Sequence, residues 1–385
     1  MLKGLRASSH CVKSLIHSKK NVYSGAAACL STMPIKEIRN PHEMKFLPQK
    51  DVQDYMSFLP KFIEDVTSKE ILLGYPPVNQ RMKRLLEYMC PTGKHLRQHV
   101  LIYTYKTIEQ HHGTYSQENM KEVHKLCWCL ELLNTGYTIM DDIIDDHDMR
   151  RKQATWYKIA GSATANDMML VFTSLNGIVR KYFNQHPRFN EIFDLFLTPI
   201  TPVGLALELE TTNFEDFTVE RCDEIAEIKT AYYVGNHPFL LATLFANKEL
   251  QMYDLAKKVF YYLGNIYSAQ NDVLDVYGQH ITGKNSTDIQ DNNCTYLIAM
   301  ALEKASGTQK KILKENYGKK DQKCVDKVKE IYDELDLIGE YYKLEEKYLE
   351  KASEEIRKIP DEFTRSLIEK LAYVQSFGLI GVNPL

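Results

Sequence analysis

The sequence predicts an all-α fold in which many helices surround a central cavity. Apolar residues recur at the three- and four-residue spacing of a buried helical face, for example at Val259, Leu263 and Ile266. A long, charged amphipathic stretch over residues 321–358 predicts further helix near the C-terminus. The alternation of apolar and polar residues that marks strands is scarce, and no glycine-rich phosphate loop follows a candidate strand.

The first 36 residues differ in composition from the rest of the chain. They contain no acidic residue, and their basic residues are interleaved with Leu, Val, Ile and Ser. This pattern predicts a mitochondrial transit peptide, with a disordered basic tail as the alternative, so the expected localisation is mitochondrial or cytoplasmic. Since no linker and no repeat interrupts the remainder, residues 37–385 are predicted to form a single domain.

Composition argues against two classes of partner. The 385 residues are 44% hydrophobic and 26% charged, and the net charge of −3 is too small for a protein whose main partner is nucleic acid. The most apolar run, residues 196–209, contains Pro199 and Pro202 and falls short of the roughly 20 residues that cross a bilayer, so we predict no transmembrane segment.

The eight cysteines are scattered without CxxC pairs and are interpreted as reduced thiols.

The segment "DDIIDDHDMRR", residues 141–151, is the first candidate functional cluster. In the helix that leads into it, Asn134, Tyr137, Asp141 and Asp145 lie three or four residues apart and share one stripe, with Asp142 beside them. The upper part of this stripe is apolar or aromatic and should face the core. Because unpaired buried carboxylates are costly, the aspartates are expected to meet a cation.

A second cluster, "NDVLDVYG", occupies residues 271–278 and repeats this arrangement. Asn271 and Asp275 continue a stripe that begins with apolar and aromatic residues. Two inward clusters of oxygen ligands on separate helices predict a site for hard divalent cations. Mg²⁺ is the expected ion, because it prefers oxygen ligands and commonly bridges to substrate phosphates.

Basic residues near these clusters suit the binding of a diphosphate, because guanidinium and ammonium groups pair with phosphate oxygens. They are Lys94, Arg97, Arg150, Arg151, Lys229 and Lys284. A single lysine or arginine is usually a surface group, and a single Asp-rich helix is usually solvated. Two inward carboxylate clusters with an Arg-Arg pair are much more specific and indicate a metal–diphosphate site.

These motifs, together with "GKHLR", "WYK", "KTAYY" and "GKNSTDIQDNNC", resemble in order those of the class I trans-isoprenyl diphosphate synthases, the farnesyl-forming members most closely. The resemblance runs from Lys94 to Leu297. It implies an all-α isoprenoid synthase bundle, a homodimer, and a prenyl diphosphate substrate that ionises inside an apolar cavity.

The resemblance also implies a role for each candidate residue. Magnesium ions that bridge to an allylic diphosphate would be held by Asp141, Asp142, Asp145, Asn271 and Asp275. The allylic diphosphate would contact Arg150, Lys229, Thr230 and Lys284, and isopentenyl diphosphate would contact Lys94, Arg97 and Arg151. Asp141, Asp142 and Lys229 are the predicted catalytic residues, because they would promote departure of the diphosphate.

The sequence departs from the family pattern around the diphosphates. Charged or amide residues are exchanged at Asn134, Leu205, Glu208, Ser268, Asn271 and Asn293. Gly136 and Tyr137 stand where farnesyl-forming members carry two aromatic residues that limit chain length. The missing ring at Gly136 predicts a deeper or reshaped apolar pocket.

These departures, with the ionising core retained, favour an insect-type terpene synthase derived from this family. Such an enzyme would be a lyase that ionises farnesyl diphosphate and forms a sesquiterpene. The alternative is a condensing prenyltransferase, a farnesyl or geranyl diphosphate synthase, which is favoured by Lys94, Arg97 and Arg151. A third hypothesis, an inactive partner subunit, is disfavoured by the intact aspartates of the first cluster.

Overall fold

The computed structural model describes residues 47–249, 251–278 and 287–378. Within these ranges nearly all regular structure is helical, which confirms the predicted all-α class. The predicted leader, residues 1–36, and Lys284 lie outside the described residues. The leader and the domain boundaries at 37 and 385 therefore stay predictions.

The helices and strands follow one another in this order. The first part contains α1 (Gln49–Ser57), α2 (Leu59–Val66), α3 (Lys69–Leu72), α4 (Pro76–Met89), α5 (Leu96–His112), α6 (Gln117–Ile144), β1 (Met149–Arg150) and β2 (Gln153–Ala154). The middle part contains α7 (Trp156–Ala160), α8 (Thr164–Phe183), α9 (Phe189–Leu197), α10 (Ile200–Glu210), α11 (Val219–Ala226), a π-helical segment (Glu227–Asn236) and α12 (His237–Phe245). The last part contains α13 (Gln251–Tyr277), α14 (Tyr296–Lys304), α15 (Gly307–Asn316), α16 (Gln322–Glu334), α17 (Leu337–Arg357) and α18 (Glu362–Gly378).

Helix α6 lies at the centre of the core. It begins after Ser116, whose hydroxyl accepts a hydrogen bond from the backbone N–H of Asn119 at 3.1 Å. Residues 126–136 are buried on every side of the helix, because α5, α8 and shorter helices pack around it. A helix that is apolar on all faces belongs inside a domain. The acidic residues at its C-terminal end are therefore presented at the edge of this core.

Helix α13 is the second long helix that leads to the acidic residues. It packs against the π-helical segment and α17, and Val259, Leu263 and Ile266 are buried as predicted. The π-helical segment also packs closely on α10. A Cβ atom added at Gly204 of α10 would lie 2.6 Å from the backbone nitrogen of Lys229, so only glycine allows this approach.

Strands β1 and β2 form a two-stranded antiparallel hairpin in which Arg150 pairs with Gln153. The two connecting residues, Arg151 and Lys152, have φ values of 54° and 66°. Positive φ at both central residues defines a type I′ turn, whose twist matches that of the flanking strands. The hairpin thus fixes the backbone of two adjacent arginines.

One stretch of the described residues, Phe189–Glu210, has the length and mean hydropathy (1.5) that a membrane span requires, and one third of it is buried. It is divided into α9 and α10, which end and begin on either side of Pro199. The interruption expected from the sequence is therefore present.

Candidate active site

The two predicted acidic clusters line one cavity of about 160 Å³. Asp141 and Asp145 reach it from the end of α6, and Asn271 and Asp275 reach it from the end of α13. The chain brings further acidic residues to this wall, namely Glu208 from α10, Asp272 from α13 and Asp288 from the segment before α14. We call these seven cavity-lining residues the acidic region.

Asp141, Asp145 and His147 form the tightest group of potential metal ligands in the described part of the chain. One ligand atom from each lies within 4.8 Å of the others. Burial and the negative charge of Asp141 raise the pKa of Asp145 to about 6. The negative end of the α6 dipole adds to this repulsion. A divalent cation would relieve it, so the donor set suits a metal ion.

The side chains of Asp142 and its neighbour Asp141 point in different directions. It is 1% exposed and accepts a hydrogen bond from Nε of Arg150. It lines a small neighbouring cavity with Arg150 and Arg151 rather than the large acidic one. Adjacent helical residues point about 100° apart, which explains the difference. Of the three aspartates of the first cluster predicted as metal ligands, the structure therefore brings two to the shared cavity and leaves Asp142 facing Arg150.

The second cluster is more acidic than the sequence analysis anticipated. The backbone N–H of Asp288 donates to Oδ1 of Asp275 at 3.3 Å, and Nδ2 of Asn293 donates to Oδ1 of Asp288 at 3.0 Å. Burial, followed by the charge of Asp275, raises the pKa of Asp288 to about 7. Asp288 lies in the quoted motif "GKNSTDIQDNNC", so a signal for it was present. Glu208, His147 and Asp272 were also missed as cavity residues.

Lys229 lies in the π-helical segment and faces the acidic cavity together with Thr230. Its ammonium group pairs with Glu208 and lies 3.8 Å from Oδ1 of Asp141. Burial alone would lower the pKa of Lys229, but the charges of Glu208 and Asp141 outweigh it and raise the pKa. Lys229 therefore stays charged beside the acidic residues, as its predicted role requires.

Arg150 and Arg151 are adjacent but contact different parts of the site. Nη2 of Arg150 donates to Oδ2 of Asp141 at 2.6 Å. Nη1 of Arg151 donates to Oγ1 of Thr92 at 3.2 Å and to the Thr92 carbonyl oxygen, in the loop before α5. The hairpin thus pairs one guanidinium with Asp141 and Asp142 at the end of α6 and the other with the loop that carries Lys94.

Arg97 and Arg151 lie near each other, and Arg151 contacts the loop that carries Lys94. We call these predicted isopentenyl diphosphate residues the basic region: Lys94, Arg97 and Arg151. Beneath them lies Glu131 of α6, which is 3% exposed and accepts hydrogen bonds from Gln98 at 2.8 Å and Asn134 at 3.2 Å. Burial raises the pKa of Glu131 to about 7, although the charges of Arg151 and Arg97 oppose the rise. The Asn134 amide thus holds the buried carboxylate.

The prediction at Gly136 was a deeper or reshaped pocket, and the structure favours the reshaped form. The ring of Phe172, from α8, lies over this glycine, and an added Cβ would be 2.7 Å from Cζ of Phe172. An aromatic ring from another helix therefore occupies the space that the glycine leaves.

With this geometry in place, comparison with known families is informative. The family model described as polyprenyl synthetase matches residues 79–335. The chain belongs to this family. The predicted resemblance to the trans-isoprenyl diphosphate synthases is thereby confirmed, and the chain is an enzyme of that family.

Curated relatives agree with the family match. Farnesyl pyrophosphate synthase of Gallus gallus is 30% identical over 341 residues, which cover 84% of this chain and 92% of the relative. The Zea mays enzyme of the same name is 33% identical over 310 residues, covering 76% and 88%. The Murgantia histrionica enzyme of the same name is 27% identical over 360 residues, covering 89% and 88%.

Solved structures support the fold. T. brucei farnesyl diphosphate synthase complexed with risedronate matches with a TM-score of 0.78 at 22% identity, over 84% of this chain and 98% of that chain. The minodronate complex of the same enzyme gives a TM-score of 0.79 at 23% identity, over the same shares. The predicted isoprenoid synthase bundle is confirmed.

The predicted terpene synthase activity is wrong. The family match and the relatives named farnesyl pyrophosphate synthase support the alternative, a prenyltransferase, over a sesquiterpene-forming lyase. Three of the six departures that favoured a lyase have local structural explanations: Glu208 pairs with Lys229, Asn293 bonds Asp288, and Asn134 bonds Glu131.

Proposed function

We propose that this chain is a condensing prenyltransferase that joins isopentenyl diphosphate to an allylic diphosphate and forms farnesyl diphosphate. The observation that carries the proposal is that two adjacent guanidiniums contact different parts of the site. Arg150 faces the carboxylates of the acidic region, whereas Arg151 faces the loop of the basic region. Such an arrangement suits an enzyme that holds two diphosphates side by side. The product assignment is supported by the names of the relatives.

The acidic region suits the allylic diphosphate and its metal ions. Asp141, Asp145, Asn271 and Asp275 would hold Mg²⁺, because they offer the oxygen donors that this ion prefers. The raised pKa of Asp145 shows that the region is short of positive charge, which fits divalent cations. Bound Mg²⁺ would neutralise the departing diphosphate. Lys229 and Thr230 would contact the same diphosphate, and Lys284 is proposed to join them.

The basic region suits isopentenyl diphosphate. Arg97 and Arg151 present planar guanidinium donors, and the exposed Lys94 adds a third positive charge. Nε of Arg97 is buried without a hydrogen-bond partner among the described residues. Buried Glu131 partly offsets these charges and holds the basic groups near one another. Among the described residues, carboxylates do not outnumber the basic groups in this region, so this diphosphate would bind directly to side chains.

The reaction then consists of one bond exchange and one proton loss. The C–O bond of the allylic substrate breaks, and its electron pair leaves with the diphosphate. The π electrons of isopentenyl diphosphate form the new C–C bond to the allylic carbon. A proton is then lost from the condensed cation to a basic oxygen, and a new double bond forms. Lys229 and Arg150 stabilise the negative charge that develops on the leaving group.

Two further expectations belong to this proposal. The enzyme is proposed to act as a homodimer, and the segment 1–36 is proposed to direct it to mitochondria. Size-exclusion chromatography with light scattering tests the first, and imaging of a fluorescent fusion with and without residues 1–36 tests the second. Exclusively cytoplasmic fluorescence of the full-length fusion would favour a basic tail.

The proposed activity is tested with purified protein, Mg²⁺ and geranyl diphosphate, with and without isopentenyl diphosphate. The products are dephosphorylated and separated by gas chromatography with mass spectrometry. Farnesol is expected only when isopentenyl diphosphate is present. Volatile hydrocarbons formed from farnesyl or geranyl diphosphate alone, or no consumption of either substrate, would overturn the proposal.

A further inference from the structure

Three aromatic rings form a row beneath the acidic region. The ring centroids of Tyr233 and Tyr137 are 5.3 Å apart with an edge-on geometry, and those of Tyr137 and Phe172 are 5.5 Å apart. The rings come from three different elements: the π-helical segment, α6 and α8. Contacts at these spacings are typical of favourable aromatic pairs.

The position of these rings relative to the acidic cavity follows from helix geometry. Tyr137 precedes Asp141 by four residues on α6, and Tyr233 follows Lys229 by four residues on the π-helical segment. On α6 the aromatic ring therefore lies about one turn, or ~5.4 Å, deeper than the charged residue at the cavity. On the π-helical segment the ring also lies deeper than the charged residue, by slightly less than one turn. The row therefore crosses the direction in which an apolar chain would extend away from the carboxylates.

Phe172 occupies its place because residue 136 is glycine. Three ring carbons of Phe172 would lie 2.7 to 3.2 Å from a Cβ atom added at Gly136, closer than ordinary contact. Phe172 is half-buried and packs against the core next to Tyr137. The chain thus closes this space with a residue that is 36 positions away from the glycine in the sequence (172 − 136).

We infer that Phe172 and Tyr137 form the end of the prenyl pocket, and that Phe172 sets the maximum length of the product. This inference rests on the proposed condensing activity. Each condensation lengthens the apolar chain by one five-carbon unit, and a longer chain must enter the space that the Phe172 ring fills. Steric exclusion by a packed ring costs more than the chain gains by burial, so growth stops there.

Phe172 is the better residue to test, because it lies on α8 and not on the helix that carries Asp141. Its replacement removes the ring without altering α6. We compare wild type, Phe172→Ala and Leu170→Ala, each incubated with dimethylallyl diphosphate, Mg²⁺ and excess isopentenyl diphosphate. Leu170 is also a half-buried residue of α8, but it lies about 200° around the helix from Phe172.

Phe172→Ala is expected to form products longer by at least one five-carbon unit, with the ratio of longer to wild-type product raised about tenfold or more, in the range that pocket size imposes on selectivity. Leu170→Ala is expected to keep the wild-type product distribution. Phe172→Leu, which retains part of the volume, should give an intermediate ratio and keeps the test valid if Phe172→Ala does not fold.

Two outcomes would contradict the inference or the proposed function, and the experiment distinguishes them. Unchanged product lengths in folded, condensing Phe172 variants would overturn the assignment of Phe172 while leaving the condensing activity intact. Absence of any condensation in wild type would overturn the proposed function itself. Far-UV circular dichroism of each variant establishes that the fold is retained.

Discussion

The acidic and basic regions differ in how their charges are balanced. The acidic region gathers six carboxylates against Lys229 and Arg150, and burial beside like charge raises the pKa of Asp145 and Asp288. The basic region gathers three cations, two of which lie near the buried carboxylate of Glu131. Under the proposed function, the first region would need metal ions before it accepts an anion, whereas the second would accept one directly. This difference predicts distinct responses to mutation, metal and pH.

The largest effect on activity is expected when the carboxylate of Asp141 is removed from the acidic region. Asp141→Ala should lower kcat about a thousandfold, equivalent to about 4 kcal/mol of transition-state stabilisation. It should also raise the Mg²⁺ concentration needed for half-maximal activity. Asp146→Ala is the matched control, because the Asp146 side chain is 66% exposed and lies outside the cavity. A wild-type kcat in folded Asp141→Ala would contradict the metal assignment.

A smaller effect is expected when the adjacent arginines are changed one at a time. Arg151→Ala should raise the KM for isopentenyl diphosphate about 30-fold, equivalent to about 2 kcal/mol, because charge-assisted hydrogen bonds to one diphosphate are lost. Its KM for the allylic substrate should stay near that of wild type. Arg150→Ala should show the reverse pattern and should also lower kcat.

Steady-state kinetics with each substrate varied in turn distinguish these two patterns. Lys152→Ala is a suitable control, since Lys152 shares the hairpin turn and is exposed. Equal effects of Arg150→Ala and Arg151→Ala on both KM values would show that the two regions are not separate sites.

The smallest effect is expected in the pH dependence of stability. The folded protein holds the Glu131 proton up to about pH 7, whereas the unfolded chain releases it near the ordinary pKa of 4.5. Since the folded state binds more protons in this interval, the free energy of unfolding should fall as the pH rises from about 4.5 to about 7 and then stay level. Glu131→Gln cannot ionise and should lack this contribution.

Urea denaturation of wild type and Glu131→Gln at intervals between pH 4.5 and 8 measures the difference. The stability of the variant relative to wild type should increase across this range. Exposed Glu87→Gln serves as the control and should run parallel to wild type. A constant difference between Glu131→Gln and wild type would show that Glu131 is ionised throughout.

Local sequence patterns were sufficient for much of the fold and for part of the site. The stripe of Val259, Leu263 and Ile266 predicted a buried helical face, because helical periodicity follows from covalent geometry. The same periodicity placed Asp141 and Asp145 on one inward face. It could not predict that Asp142 turns to Arg150, since that contact depends on the hairpin after the helix.

The departures from the family motifs were harder to interpret. Asn293 and Glu208 replace the residues of the family pattern, which suggests a loss of functional groups. Each of them nevertheless has a partner inside the site. Gly136 predicts a deeper or reshaped pocket, and Phe172 fills the space beside it. In each case the compensating residue lies elsewhere in the chain, so a position-by-position comparison with motifs could not find it.

The sequence alone determined the helical class, the family and the two carboxylate clusters, because these follow from short-range spacing and residue chemistry. The tertiary structure decided which groups share the cavity, which arginine contacts which part of the site, and which residue fills the space beside Gly136. Those properties depend on contacts between residues far apart along the chain, and only the packing of the helices brings them together.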